Sequence, residues 1–142
     1  MEQFEQILVK YGAQRRIQKL LFSVDAIEAA ISFKLPPDYM FYIQNYLGFE
    51  ETIGREYVRL WDINELMEKN KGYCITETLT NTLGIGTNGG GEFIAIEQFE
   101  IDNYRVVLSP FIDLDKKYHI QIGSSFSDFL IRLDQGLEWF NY

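Results

Sequence analysis

Apolar residues recur at helical spacing at the start of the chain. Phe4, Ile7, Leu8 and Tyr11 are followed by Ile17, Leu20 and Leu21, which predicts an N-terminal helix over residues 2–22, weakened at Gly12. Ser23 is placed as the N-cap of a second short helix carrying Val24, Ile27 and Ile31. Leu35-Pro36-Pro37-Asp38-Tyr39 then breaks the chain. A residue before proline is pushed out of the helical region, so Leu35 and Pro36 should be extended. Pro37 suits a first helical position and Asp38 favours the positive end of the helix dipole. Tyr39, Tyr42, Ile43 and Tyr46 continue that helix, and Gly48 is the expected stop, able to take a positive φ.

From residue 57 the period changes. Tyr57 to Trp61 reads as a strand. Asp62-Ile63-Asn64-Glu65 has the Asp-x-x-Glu spacing of a capping box and opens a helix ending near Asn70-Lys71-Gly72. Further strands are expected at residues 83–87, 93–96, 104–109 and 118–122. Asn88-Gly89-Gly90-Gly91 supplies the left-handed conformations of a tight turn between two of them. A last helix opens at Ser124 or Ser125, buries Phe126, Phe129, Leu130 and Leu133, and ends at Gly136. Residues 137–142 form an aromatic tail too apolar to stand idle in solvent, so it docks on the body or lies in an interface. Helices, then strands, then a closing helix indicate an α+β fold with a largely antiparallel sheet.

The chain's 142 residues fit a single domain, 1–142, with no linker or repeat. Nine tyrosines and eleven phenylalanines point either to an aromatic-rich core or to rings at a protein interface. The lone Cys74 excludes an internal disulfide and fits a reducing compartment. No apolar run is long enough for a membrane span, and the acidic N-terminus lacks a signal-peptide pattern, so a cytoplasmic location is expected. Net charge is −8, unevenly spread. Residues 1–22 hold two acids against four bases, net +2; the remainder holds 19 acids against 9 bases, net −10. Such a body repels nucleic acid and attracts basic partners, although acidity also serves solubility alone.

Little of this resembles an active site. Gly84-Ile85-Gly86-Thr87-Asn88-Gly89 matches G-x-G-x-x-G, but a strand follows where a dinucleotide site needs a helix. Cys74 and His119 are the sole thiol–imidazole combination, with nothing in their spacing to pair them, and they are too few for a zinc site. No cofactor or metal is expected. Glu92, Glu97, Glu100, Asp102, Asp113 and Asp115 crowd into 24 positions without the spacing of an EF-hand. They read as a solvated rim or as a docking surface for a basic partner.

One ordered series ties these motifs together: Leu35-Pro36-Pro37-Asp38-Tyr39, Leu60-Trp61-Asp62, Asn70-Lys71-Gly72-Tyr73, Ile85 to Glu92, and Ser125-Phe126-Ser127-Asp128-Phe129-Leu130. The series resembles the SMI1/KNR4 (SUKH) family over roughly residues 23–133, although members often carry Asn-Gly where this chain has Asn45-Tyr46-Leu47-Gly48. The resemblance implies a curved, mainly antiparallel sheet flanked by helices and a role without catalysis. Bacterial members are typically immunity proteins of polymorphic-toxin and contact-dependent inhibition systems, often against nucleases; fungal relatives are linked to cell-wall synthesis and signalling. The resemblance implies that the motif residues hold the fold, while the partner surface varies.

The reading is therefore an immunity protein that binds and sterically neutralises a cognate, basic toxin domain, with the six acids steering association. The alternative is a regulatory protein-interaction module of the same fold. Nucleic acid and membrane are not expected partners, and monomer and homodimer both remain open.

Overall fold

A computed structural model describes residues 2–17, 20 and 23–140. Six strands run in simple sequence order, β1 (Phe49–Ile53), β2 (Glu56–Leu60), β3 (Thr82–Thr87), β4 (Glu92–Glu100), β5 (Asn103–Pro110) and β6 (Ile120–Gly123). Every neighbouring pair is antiparallel, and the sheet curls into a half-barrel. The helices are α1 (Gln3–Lys10), α2 (Val24–Ile31), α3 (Pro37–Asn45), α4 (Ile63–Gly72), α5 (Ile75–Thr78) and α6 (Phe126–Asp134), with a 3₁₀ turn at Lys116–Tyr118. The α+β architecture expected from the sequence is the one observed.

Glycines show which helix covers which face. A Cβ on Gly123 would come within 2.9 Å of the Phe129 Cα, so the face shared by Gly123 and its partner Val106 lies under α6. A Cβ on Gly84 would meet Ile75 and Asn70, so the face of Gly84 and its partner Ala95 looks toward α4 and α5. With both faces covered, β3 and the first half of β4 are buried continuously rather than in alternation. Above α6, Phe126 meets Tyr39 and Tyr42, each with ring centroids at 5.2 Å, and Phe4 at 6.3 Å, which joins α1, α3 and α6.

The sequence motifs hold these parts together. Asp38 Oδ2 accepts from both the backbone N and the Oγ of Ser127, each at 2.8 Å, fastening the start of α3 to the start of α6. Ser125 caps α6, and Asp62 and Glu65 form the expected capping box on α4. Asp62 also accepts from Gly48 N at 2.9 Å and pairs with the buried Arg16. Asn70 bonds both the N–H and the C=O of Gly84, each at 2.8 Å.

Several expected boundaries move. The first helix stops at Lys10, because Gly12 takes φ +87° and the chain turns to bridge Arg15 to Tyr46. Ile17 is then 94% exposed, whereas Leu21 lies outside the described residues. Gly48 has no positive φ; glycine is needed there because a Cβ would lie 2.5 Å from Asp62 N. In the 88–91 turn only Gly89 is left-handed, at φ +80°. Strand β1 and helix α5 were not foreseen, and Tyr118 belongs to the 3₁₀ turn rather than to β6. Of the aromatic tail, Trp139 docks on Phe129, rings stacked at 6.1 Å, and Phe140 stays exposed; Asn141 and Tyr142 lie outside the described residues.

Candidate partner-binding surface

The six acids lie along β4, its turn to β5, and the strap that joins β5 to β6. Glu92 opens β4 and Glu100 closes it, so at the strand rise of about 3.3 Å per residue they stand roughly 26 Å apart. The strap begins beside Glu92, where Phe111 N donates to Gly91 O at 2.9 Å and the Phe111 ring meets Phe93 and Tyr73 at 5.2 and 4.5 Å. It ends at the other end of β4: Lys116 Nζ donates to Thr80 Oγ1 at 3.1 Å, and His119 Nδ1 lies 3.0 Å from Glu97 Oε2. The strap therefore crosses the face that α4 and α5 leave open. It carries Asp113, exposed, and Asp115, which caps the 3₁₀ turn by accepting from Lys117 N.

Glu97 corrects the sequence expectation. It is 2% exposed and faces inward. Arg105 stands opposite it in register and donates to it at 2.7 Å, with His119 on its other oxygen. Burial by itself would raise its pKa, but the hydrogen bonds from His119 and Arg105 and their charge outweigh burial and bring it down to about 2. Its charge is matched within the fold, so it cannot steer a partner. Glu92 is half-buried and accepts from Asn88 Nδ2 at 2.9 Å, while Glu100, Asp102, Asp113 and Asp115 are exposed.

The structure places beside the acids apolar side chains that sequence reading did not single out. In the β4–β5 ladder Gln98 pairs with Tyr104 and Glu100 with Asn103, which leaves Phe99 as an extra, unpaired residue. That is a β-bulge, a device that re-aims a side chain. Phe99 is 56% exposed and Ile101, at the tip, 85%. The signal present in the sequence was the alternation of Phe99 and Ile101 with Glu100 and Asp102. Tyr118, also exposed, sits on the strap next to His119.

Among the described residues, neither the Cys74–His119 combination nor the glycine-rich segment takes the arrangement its chemistry would need. The His119 side chain is fully buried; its Nδ1 engages Glu97 and its Nε2 has no hydrogen-bond partner among the described residues, so exposed Cys74 is not within bonding reach of it. The glycine-rich segment forms a β-hairpin, not a strand–helix turn. Among the described residues, no group of three or more His, Cys, Asp or Glu could hold a metal ion. No described helix is long and apolar enough to cross a membrane.

The sequence model of the SMI1/KNR4 family (SUKH-1) matches residues 23–132. The chain belongs to the SMI1/KNR4 family. Its matched segment runs from the Ser23 cap of α2 into α6, so it takes in the whole sheet and leaves out α1 and the tail. The SUKH family is known as an immunity-protein type, generally non-enzymatic, whose members bind a partner toxin. No curated protein matches the chain significantly. The SMI1/KNR4 motifs mark structural joints: Asp38 to Ser127, Asp62 to Arg16, and Asn70 to Gly84.

Proposed function

We propose that this SMI1/KNR4 protein is an immunity protein that binds a cognate bacterial toxin domain of a polymorphic-toxin or contact-dependent inhibition system and blocks it sterically. Family membership over residues 23–132 carries the reading. Charge supports a basic target such as a nuclease, whose substrate groove must itself be basic. Residues 23–142 carry net −10, and opposed fields speed encounter. Of the acids, Glu92, Glu100, Asp102, Asp113 and Asp115 point outward enough to steer; Glu97 does not.

The test is co-expression in a sensitive host with each toxin domain encoded in the genomic neighbourhood of this chain. The expected result is growth rescue from one of them and a stable complex with its inactivated form. Growth arrest with every such toxin despite folded, abundant protein overturns the proposal. Conversion of the five outward acids to lysine should then slow association at low salt and flatten its salt dependence.

A further inference from the structure

We infer that the tip of the β4–β5 hairpin is the anchor of the toxin interface: Phe99 and Ile101 enter an apolar recess on the toxin, and Glu100 and Asp102 meet lysines or arginines on its rim. This rests on the immunity reading above and names the surface that performs it.

Exposure comes first. Scattered exposed apolar residues need no explanation, but here two large side chains two positions apart share one turn. Phe99 is the extra residue of the bulge: it has no opposite number in the ladder, where pairing steps from Gln98–Tyr104 to Glu100–Asn103. Asp102 closes the turn in a left-handed conformation, φ +62°, which aspartate tolerates better than most residues.

The tip is also held in place. Gln98 N donates to Asn81 O at 2.9 Å, and Asn103 Nδ2 donates to Glu100 Oε2 at 3.3 Å. Tyr104 OH donates to Lys34 O at 2.5 Å, tying the hairpin to the segment after α2. Beneath the tip, Glu97 is fixed by Arg105 and His119. An aromatic and a branched aliphatic side chain on a backbone already ordered lose little freedom on binding, which favours them as anchors.

Charge decides the occupant. Ile101 is bracketed by Glu100 and Asp102. A second copy of this chain, itself net −8, would set these acids against like charge. An anionic membrane surface would repel them. A basic-rimmed protein recess satisfies both the apolar pair and the acids.

The experiment titrates the inactivated toxin domain identified by growth rescue against wild type, Phe99→Ala/Ile101→Ala, Glu100→Lys/Asp102→Lys, and Val9→Ala, an exposed control on α1. Loss of the apolar pair should weaken binding by at least about 30-fold, mostly through faster dissociation. The charge reversal should slow association at low salt, and the control should bind as wild type. Melting curves must show each variant folded, which the exposure of all five side chains favours. If wild type binds and protects but the double alanine variant binds within about 3-fold of it, the tip assignment is wrong and the immunity reading stands. If wild type neither binds nor protects, the immunity reading itself falls. Sedimentation showing a wild-type dimer that Ile101→Ala disrupts would assign the tip to self-association and overturn the proposal.

Discussion

Asn70 does the work of a missing strand. At Gly84 the N–H and C=O point away from β4, toward the place β2 would occupy. Strand β2 has already left: its register with β3 covers only Arg59 and Leu60, and the last backbone bond runs from Trp61 N to Ile85 O. The Asn70 amide, fully buried, supplies one donor and one acceptor to the same peptide pair, at 2.8 Å each. Its Nδ2 also donates to Leu66 O at 2.9 Å. Asn70→Ala leaves the Gly84 N–H and C=O buried and unpaired. At about 1–3 kcal/mol for each orphaned group, with a small cavity added, the cost is about 3–4 kcal/mol. For a chain of 142 residues the unfolding entropy is about 0.3 kcal/mol/K, so Tm should fall by roughly 10 °C. Asn70→Leu, nearly isosteric, should not recover it, because the orphaned groups lie on Gly84. Urea and thermal unfolding measure both variants. A loss below about 1 kcal/mol for either would refute the idea that this amide completes the sheet edge.

Acid should expose the Glu97 network. Its folded pKa, about 2, lies below the unfolded value of about 4.3, so its stabilisation is complete above about pH 5 and is lost as pH falls toward 2. Glu97→Gln should therefore remove a stability difference on the order of 3 kcal/mol at pH 7 that shrinks to near zero at pH 2; a pH-independent difference in denaturant midpoints refutes this. Within one glycine-rich motif, Gly86→Ala and Gly91→Ala should differ sharply. A Cβ on Gly86 would lie 2.2 Å from Arg59 O, forcing β2 from β3 at a cost above about 2 kcal/mol, whereas Gly91 has nothing within 4 Å and should change stability by less than about 0.5 kcal/mol. Arg16→Ala removes a 4%-exposed guanidinium from Asp62 and should cost about 2 kcal/mol, since Asp62 keeps its bonds to Gly48 and Asn64. Hydrogen exchange should then quicken at Leu47, whose amide donates to Gln14 O; unchanged protection there would argue against Arg16 as the latch of the N-terminal segment.

What was legible in the sequence was local. Caps at Ser23, Asp62 and Ser125, the proline start of α3 and the strand–turn–strand of β3 and β4 depend on residues within a few positions of one another. The ordered motifs that these residues form were enough to indicate the α+β fold and the SMI1/KNR4 family. Tertiary contacts decided the rest. Helical spacing continued past Gly12, but docking of residues 14–16 on the end of α3 replaced the predicted helix with an extended segment. Strand β1, Phe-Glu-Glu-Thr-Ile, has no alternating pattern because it is an edge whose outer positions face water, and only pairing with β2 makes it a strand. Glu97 and Glu100 are equivalent in a list of acids. Registry with Arg105 and the crossing of the strap turn one into a buried counter-ion and leave the other at the surface. The bulge that leaves Phe99 unpaired is likewise a property of two strands paired out of step, which the residues of β4 read alone do not contain.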